Sequence, residues 1–288
     1  MKIGLCLSGG GVKGAAHIGV IKALEEENIK ISFLSGTSSG SIVATLYSVG
    51  YTTQEILEIF KKYGKNINYI DIKTLLKSSL GIIFKRQFIP EGLNSGIKIE
   101  QIINKACADK NILKISDIKI PIIIPSVNVY NGEIYLFTSY ETRQTVSSKY
   151  IPVSNIEIGK AVRASCSYPG IFAPVKYEDK FLIDGGIREN FPWKELRNIG
   201  AEKIICIKFE NKLKKEKKNI NILDVVSGAL ELMSFELAKY ESCGADYIVN
   251  IISEKVNLLD KSKIEFFYEL GYLITKRDIN KIKEKLIE

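Results

Sequence analysis

In the first fifty residues of the chain, short apolar runs alternate with segments whose hydrophobic positions recur at helical spacing. Residues 2–8 form a short apolar run, which predicts a buried strand. Over about residues 15–27 the apolar positions recur at helical spacing, so that Ile18, Ile21 and Leu24 can share one face. A second apolar strand and a second helix follow directly. Two strand-loop-helix units in succession predict a parallel α/β sheet.

The remainder of the chain continues to alternate between helical and extended patterns. Asn131-Gly132 and Glu178-Asp179 each separate two short apolar runs, as the turn of a β-hairpin does. We find no repeat and no low-complexity linker, and therefore expect one domain over residues 1–288. Further helices are predicted at about residues 53–63, 95–107, 156–165, 193–199, 221–241 and in the C-terminal segment, and further strands at about 121–130, 133–138, 175–177, 181–183, 203–209 and 246–252.

Two segments have patterns that fit no regular element. Residues 80–89 mix apolar with basic side chains, and we interpret them as a strand or loop packed against the body of the protein. A mobile lid or a membrane-facing flap is the alternative interpretation of that segment. Residues 212–218 are rich in lysine and are interpreted as a solvated surface loop rather than a binding arm.

Composition and charge are those of a globular protein with a substantial core. Of the 288 residues, 45% are hydrophobic and 26% are charged. The 41 lysine and arginine residues exceed the 33 acidic residues, and the net charge of +8 favours anionic surfaces without specifying one. The first apolar run is too short for a signal peptide, and no stretch approaches the ~18 apolar residues of a membrane span. The five scattered cysteines are typical of reduced core residues, so we expect a cytoplasmic protein.

The segment Gly36-Thr37-Ser38-Ser39-Gly40 stands between the second predicted strand and the second predicted helix. A Gly-x-Ser-x-Gly turn in this context is typical of a nucleophile elbow, where the backbone reverses sharply and lifts the serine hydroxyl to the end of the sheet. Gly36 and Gly40 leave space for the crowded chain because they have no β-carbon. Ser38 is therefore the candidate nucleophile, above the amino terminus of a helix that favours developing negative charge.

A glycine-rich loop, Gly9-Gly10-Gly11-Val12-Lys13-Gly14, follows the first strand. Its spacing satisfies the dinucleotide fingerprint, but no carboxylate ends the second strand to hold a ribose, and Lys13 lacks the Ser or Thr that follows it in a P-loop. A glycine-rich loop before a helix can instead form an oxyanion hole, in which backbone N–H groups converge on one point. Because loops after neighbouring parallel strands open at the same edge, this loop should face Ser38. Lys13 is either a surface charge or an electrostatic support for the loop.

A serine nucleophile needs a proton acceptor, and the chain contains a single histidine, His17. His17 lies one turn into the first helix, where its imidazole is expected to pack along that helix. The better-placed base is Asp184, which ends an apolar strand and is followed by Gly185 and Gly186. A carboxylate with the ordinary pKa of ~3.9 is a weak base, so a close hydrogen bond to Ser38 would have to compensate. An ordinary Asp-Gly turn is the alternative interpretation of Asp184.

Taken in order, the glycine loop, the pentapeptide around Ser38 and Asp184-Gly185-Gly186 resemble the motifs of the patatin-like phospholipase family. The resemblance spans about residues 3–210, and we expect residues 211–288 to pack on this core. It implies a three-layer α/β/α fold with a mainly parallel central sheet. Also similar to that family are residues 15–20 after the glycine loop, residues 161–165 before Tyr168-Pro169, and Asn190-Phe191-Pro192 after the aspartate.

The resemblance implies a lipid acyl hydrolase with a Ser-Asp dyad that needs no metal and no other cofactor. Carried over by position, Ser38 is the nucleophile and Asp184 the general base. The N–H groups of Gly10 and Gly11, with Gly9 as a third candidate, form the oxyanion hole. Gly186 stands where many relatives have alanine, and we expect no chemical consequence. Supporting positions are Lys13, Gly14, Gly36, Gly40, Gly185 and Gly186.

The implied partner is a phospholipid or another acyl ester, with peripheral contact to an anionic membrane and no binding of nucleic acid. Two other classes stay open at this point, namely a catalytically silent lipid-binding or regulatory protein and, further off, a nucleotide-binding oxidoreductase. A lipase of the wider α/β-hydrolase group is disfavoured because it needs a histidine late in the chain, and none follows His17.

Overall fold

The computed structural model describes residues 1–66, 91–140, 150–211, 222–241, 244–254, 256–257 and 260–288. Residues 80–89 and 212–218 lie outside the described residues, so the interpretations of both segments stay predictions. The described part of the chain forms strands and helices in alternation, as the hydrophobic pattern predicts.

The strands are β1 (Ile3–Leu7), β2 (Ile31–Gly36), β3 (Ile122–Asn128), β4 (Ile134–Thr138), β5 (Tyr150–Val153), β6 (Val175–Tyr177), β7 (Lys180–Asp184), β8 (Lys203–Asn211) and β9 (Tyr247–Ser253). The α-helices are α1 (Ala15–Glu26), α2 (Ser39–Ser48), α3 (Thr53–Asn66), α4 (Ile97–Ala108), α5 (Ile158–Ser165), α6 (Trp193–Asn198), α7 (Ile222–Glu241) and α8 (Ile264–Ile287). Single 3-10 turns follow β1 at Gly11–Gly14 and β7 at Gly185–Ile187.

These strands form a single sheet in the order β5-β4-β3-β2-β1-β8-β9, to which the β6-β7 hairpin is joined through β3. The central strand β1 pairs in parallel with both β2 and β8, and its five residues are all buried. The β2-β3, β8-β9 and β4-β5 pairs are also parallel, whereas β3-β4, β6-β7 and β3-β7 are antiparallel. The prediction of a mainly parallel sheet is confirmed.

Two strands share one edge of β3 and lie end to end along it. β2 pairs with Ile122 and Ile123 at the start of β3, whereas β7 pairs with residues 126–128 at its end. β4 occupies the opposite edge of β3. Because β2 runs parallel to β3 and β7 runs antiparallel to it, the carboxyl ends of β2 and β7 point toward each other. The residues that follow β2 therefore meet Asp184, the last residue of β7.

Helices cover both faces of the sheet, which gives the three-layer α/β/α architecture predicted above. On one face Leu5 and Leu7 of β1 join a large apolar cluster with residues of α1 to α5 and α8. On the other face Cys6 joins a smaller cluster with Trp193 and Leu196 of α6. In α8, Gly271 packs so closely on the backbone of α1 that a β-carbon there would overlap the Ala16 carbonyl. The C-terminal helix is thus tied to the helix behind the glycine loop.

One strand escapes prediction from the sequence. β5 is four residues long, is only partly buried and contains Pro152. A proline within a short run argues against a strand unless the strand lies at an edge, and β5 is the outermost strand beyond β4. Its place at the end of the sheet explains why a proline is tolerated there.

Candidate active site

The turn after β2 has the strained backbone of a nucleophile elbow. Ser38 adopts φ 51° and ψ −124°, a conformation that side-chain-bearing residues rarely take. A β-carbon at Gly36 would lie 2.5 Å from the Gly40 carbonyl oxygen, and one at Gly40 would overlap the Leu7 carbonyl. The two glycines are therefore required by the close approach of β1, β2 and α2. The interpretation of this turn as an elbow agrees with its geometry.

Hydrogen bonds hold the elbow from two directions. The Ser38 N–H donates to Ser165 Oγ at the end of α5 (3.0 Å), and the Ser41 hydroxyl donates to the Ser38 carbonyl (2.6 Å). The Thr37 N–H donates to the Leu7 carbonyl of β1 (3.0 Å). With its backbone groups bonded in this way, Ser38 presents its side chain to an open cleft.

Asp184 lies beside Ser38 and is 2% exposed. Its Oδ1 accepts the Gly186 N–H at 2.8 Å. Burial raises the pKa of the Asp184 carboxyl to about 6, while the Ser38 hydroxyl and the Gly186 N–H act in the opposite direction. Ser38 is thus near enough to influence the carboxyl, yet Oδ2 has no hydrogen bond of ordinary geometry to any described residue. Oδ2 is the atom left to accept a proton, and such contacts are often long before substrate binds.

The glycine loop lies next to the elbow, and its first N–H is already occupied. Gly9 donates its N–H to Asn190 Oδ1 at 2.7 Å, and a β-carbon at Gly9 would lie 3.1 Å from Ser38 Cβ. The N–H groups of Gly10 and Gly11 have no acceptor among the described residues, and both glycines line the cleft. Of the three predicted oxyanion donors, Gly10 and Gly11 therefore have N–H groups that a substrate oxygen could use.

Asn190 connects the glycine loop to the turn after Asp184. Besides accepting the Gly9 N–H, its Oδ1 would lie 3.5 Å from a β-carbon at Gly186. From the sequence, Asn190 is identified only within a stretch that resembles the family, with no role assigned. It is 181 positions from Gly9, so local spacing carries no signal for their contact.

His17 is buried behind the glycine loop and does not line the cleft. Its Nε2 lies 2.8 Å from the Ser8 carbonyl, which makes Nε2 the protonated nitrogen, and its ring packs against Phe209 with centroids 5.0 Å apart. Burial lowers the pKa of His17 to about 4, against the effect of the Ser8 hydrogen bond. The imidazole therefore supports the backbone at Ser8 from within α1.

The supporting positions also pack closely around the site. Lys13 is 3% exposed and donates from Nζ to Asn211 Oδ1, so it is not a surface charge. A β-carbon at Gly14 would lie 2.7 Å from Ser39 Oγ, and one at Gly185 would overlap the Pro125 carbonyl. At Gly186 a β-carbon would lie 3.2 Å from Asp184 Oδ1, which is tight but leaves room for adjustment.

Ser38, Asp184 and the glycine loop open onto one cleft, whose empty space, with the open solvent at its mouth included, is about 790 Å³. Its walls combine apolar and polar side chains, as small-molecule sites do. α7, which sequence reasoning did not connect with the site, supplies one wall. The cleft is lined by Ser8, Gly9, Gly10, Gly11, Lys13, Ser38, Tyr168, Asp184, Gly186, Ile187, Asn190, Phe191, Phe209, Asn211, Glu231, Ser234, Phe235 and Ala238.

The described residues form neither a cluster of metal ligands nor a membrane-spanning helix. Within the described ranges, no three His, Cys, Asp or Glu side chains come together as metal ligands would. No helix among the described residues combines the length and the apolar character needed to cross a bilayer.

Comparison with known proteins defines the class to which the chain belongs. The sequence model of the patatin-like phospholipase family matches residues 5–197. The chain therefore belongs to this family and is a hydrolase that acts on carboxylic ester bonds. The resemblance seen in the three motifs is confirmed.

Individual relatives extend the match. A probable lipid hydrolase, 463L of Invertebrate iridescent virus 6, is 31% identical over 218 residues that cover 75% of this chain and 67% of that protein. The uncharacterized protein R571 of Acanthamoeba polyphaga mimivirus is 29% identical over 299 residues, covering 96% of this chain and 94% of that protein. Lysophospholipase NTE1 of the yeast Meyerozyma guilliermondii is 29% identical over 206 residues, which cover 71% of this chain but 12% of the yeast protein.

A solved structure has the same fold. The type III effector protein ExoU of Pseudomonas aeruginosa superposes with a TM-score of 0.50 at 16% identity, covering 99% of this chain and 53% of that chain. At this identity the likeness concerns the fold alone.

Proposed function

We propose that the protein hydrolyses acyl esters of lipids with Ser38 as nucleophile and Asp184 as general base. The observation that carries this proposal is the strained Ser38 beside a buried carboxylate whose Oδ2 has no partner among the described residues. A pKa of about 6 leaves Asp184 ionised at neutral pH, yet more basic than an ordinary carboxylate. The substrate class, membrane phospholipid or another acyl ester, follows from membership of the family.

In the first half of the reaction, Asp184 Oδ2 takes the proton of Ser38 Oγ as this oxygen attacks the ester carbonyl carbon. The carbonyl oxygen becomes an oxyanion, which the N–H groups of Gly10 and Gly11 can stabilise by hydrogen bonds. The bond to the leaving oxygen then breaks, and Asp184 returns the proton to that oxygen. The products are an acyl-serine and a free alcohol or lysolipid.

In the second half, Asp184 takes a proton from water, and the resulting hydroxide attacks the acyl-serine. The bond to Ser38 Oγ breaks, the serine recovers its proton from Asp184, and the fatty acid leaves. No metal or redox cofactor enters this scheme, because a serine and a carboxylate suffice for both proton transfers.

Covalent labelling tests the nucleophile directly. A fluorophosphonate should modify Ser38, with the site located by mass spectrometry, and Ser38→Ala should lose both the label and ester hydrolysis, a fall on the order of 10⁶-fold. The exposed Ser116→Ala is the matched control and should retain both. Undiminished hydrolysis by a folded Ser38→Ala variant would refute the mechanism.

We also propose that the protein meets its substrate at an anionic membrane surface. The net charge of +8 favours such surfaces, and the family acts on lipids. In a flotation experiment the protein should rise with vesicles that contain anionic phospholipid and rise less with zwitterionic ones. Equal absence from both floating fractions would contradict membrane contact while leaving the ester chemistry untouched.

A further inference from the structure

One wall of the cleft comes from a part of the chain that the family model does not match. The match ends at residue 197, whereas α7 spans Ile222–Glu241. Four α7 residues line the cleft, Glu231, Ser234, Phe235 and Ala238. They recur at the three- and four-residue spacing of one helix face, so the wall extends over two turns, about 10 Å.

Hydrogen bonds fix α7 against the catalytic turns at both ends of this stripe. At one end Glu231 Oε1 accepts from Asn211 Nδ2 (2.9 Å), and Asn211 in turn accepts from Lys13 of the glycine loop. At the other end Glu241 Oε2 accepts the Asn190 N–H (3.0 Å), and the Glu241 carbonyl accepts from the Trp193 indole (2.5 Å). α7 is therefore a fixed wall of the site, because Asn211 and Asn190 each form hydrogen bonds with both this helix and the glycine loop.

The charged and apolar groups of this wall are separated along the helix, with Ser234 between them. Glu231 lies at the polar end with Lys13 and Asn211, whereas Phe235 and Ala238 lie beyond it. Ala238 is 5% exposed and belongs to the same apolar cluster as Phe191, which also lines the cleft. An aliphatic chain gains free energy against apolar side chains, which Phe235 and Ala238 provide and the charged end with Lys13 and Glu231 does not.

We propose that the face of α7 formed by Ser234, Phe235 and Ala238 is the acyl-chain subsite of this enzyme and sets which chain lengths it accepts. The proposal rests on the function proposed above, since it assigns the acyl part of the ester to this wall. Because α7 lies beyond the matched residues, chain-length preference is encoded outside the part of the chain that carries the catalytic motifs.

The opposite face of α7 provides a control within the same helix. Leu232 and Met233 are 71% and 69% exposed and do not line the cleft. A substitution there changes the same helix by a similar volume without touching the cleft. Met233→Ala is therefore matched to Phe235→Ala.

The test measures kcat/KM for p-nitrophenyl acetate, hexanoate and octanoate as dissolved monomers, so that membrane binding does not enter. In Phe235→Ala the octanoate-to-acetate ratio should fall about tenfold, because the longer chain loses an apolar contact that acetate does not reach. Ser234→Trp should lower the same ratio by filling the subsite, and Trp and Ser have similar helix propensities. Met233→Ala should keep the parent ratio.

The ratio cancels any loss of rate that is common to all esters, and circular dichroism checks that each variant is folded. If the parent protein hydrolyses no ester and takes no fluorophosphonate, the proposed function fails. If the parent is active and both Phe235→Ala and Ser234→Trp keep its octanoate-to-acetate ratio, the acyl-chain subsite fails and the catalytic proposal stands. A shift in Met233→Ala as large as that in Phe235→Ala would also refute the subsite, since it would point to a general effect of α7.

Discussion

Asp184 and His17 are both buried beside the glycine loop, and burial shifts their pKa values in opposite directions. The pKa of the Asp184 carboxyl rises to about 6, and that of the His17 imidazole falls to about 4. The cause is the same in both, because burial disfavours whichever form carries charge. The ordinary order of the two groups is thereby reversed, and the carboxyl becomes the stronger base of the pair.

The surroundings of Asp184 and His17 also differ in the access that each gives to a reacting proton. Asp184 lines the cleft and has an unpartnered Oδ2 among the described residues, next to the hydroxyl it would deprotonate. In His17, Nε2 carries the proton that bonds to the Ser8 carbonyl, and the basic Nδ1 likewise has no partner among the described residues, but His17 is fully buried and does not line the cleft. A buried ionisable group can serve as a base only if a basic atom remains accessible to the reacting proton. By this criterion Asp184 qualifies and His17 does not.

Among the changes that compare these two groups, the largest effect should follow from removing the Asp184 carboxylate. Asp184→Asn keeps the shape of the side chain but cannot take the Ser38 proton, so kcat/KM for a soluble ester should fall about 10²–10⁴-fold. The exposed Asp179→Asn, which lies in the β6-β7 turn and loses only a surface pair with Lys180, is the matched control. If Asp184→Asn retained most activity while His17→Gln abolished it in a folded protein, the roles of the two groups would be reversed.

A smaller loss of activity should follow from removing the side chain that holds the glycine loop at the cleft. Asn190→Ala removes the acceptor of the Gly9 N–H, so the adjoining Gly10 and Gly11 amides lose part of their orientation. We expect kcat to fall about ten- to hundredfold with little change in KM, less than the ~10²–10³-fold cost of deleting an oxyanion donor outright. Asn155→Ala, an exposed asparagine, serves as the control.

The Asn190 substitution also tests whether His17 alone can hold the loop from behind. Unchanged kcat in Asn190→Ala would mean that the Ser8 contact of His17 suffices to orient the loop. A rise in KM with unchanged kcat would instead assign Asn190 to substrate binding and contradict a positioning role.

The pH dependence of activity distinguishes the two groups without any substitution. A base must be deprotonated to act, so kcat/KM should increase with pH, reach its plateau above about pH 6, and fall about tenfold per pH unit below that value. If His17 were the base, this acidic limb of the pH profile, where kcat/KM falls, would lie near pH 4. His17→Gln should leave the limb in place, and a limb that moved in this variant would argue against Asp184.

Much of the elbow could be predicted from the sequence because its causes are local. A strand, two glycines around a serine, and a helix specify a sharp turn wherever they occur in this order. The approach of the glycine loop to Ser38 could also be predicted, since β1 and β2 are parallel neighbours whose ends meet at one edge of the sheet.

Asp184 could be selected as a candidate base from its place at the end of an apolar strand, but its approach to Ser38 could not be derived from local spacing. This approach depends on β7 lying antiparallel along β3 beyond the end of β2, a register that alternation of apolar residues does not reveal. The contacts of Asn190 with Gly9 and of Glu241 with Asn190 are likewise set by tertiary packing, across 181 and 51 positions of the chain. The role of α7 escaped prediction because its cleft-facing stripe contains Glu231 and Ser234, which do not mark a core-facing helix.

Stability provides the last comparison, and here the two groups should again act in opposite directions. Because the pKa of Asp184 rises from 3.8 to about 6 on folding, ionisation of this carboxyl destabilises the folded protein by up to ~3 kcal/mol as pH increases through that interval. Relative to the parent, Asp184→Asn should therefore gain unfolding free energy between about pH 4 and pH 6 and keep that gain above. The pKa of His17 falls from 6.5 to about 4, so keeping this imidazole neutral destabilises the fold by a similar amount as pH decreases through its own interval.

His17→Gln should accordingly gain stability relative to the parent toward acid pH, where Asp184→Asn loses its advantage. Urea unfolding of the parent and both variants at about pH 4 and pH 7.5 measures the two differences, and their change with pH cancels any constant packing cost of each substitution. Two differences that move in the same direction, or that do not move, would show that burial does not shift the two groups oppositely. In that event the raised basicity of Asp184 would lose its physical basis, even if Asp184→Asn were inactive.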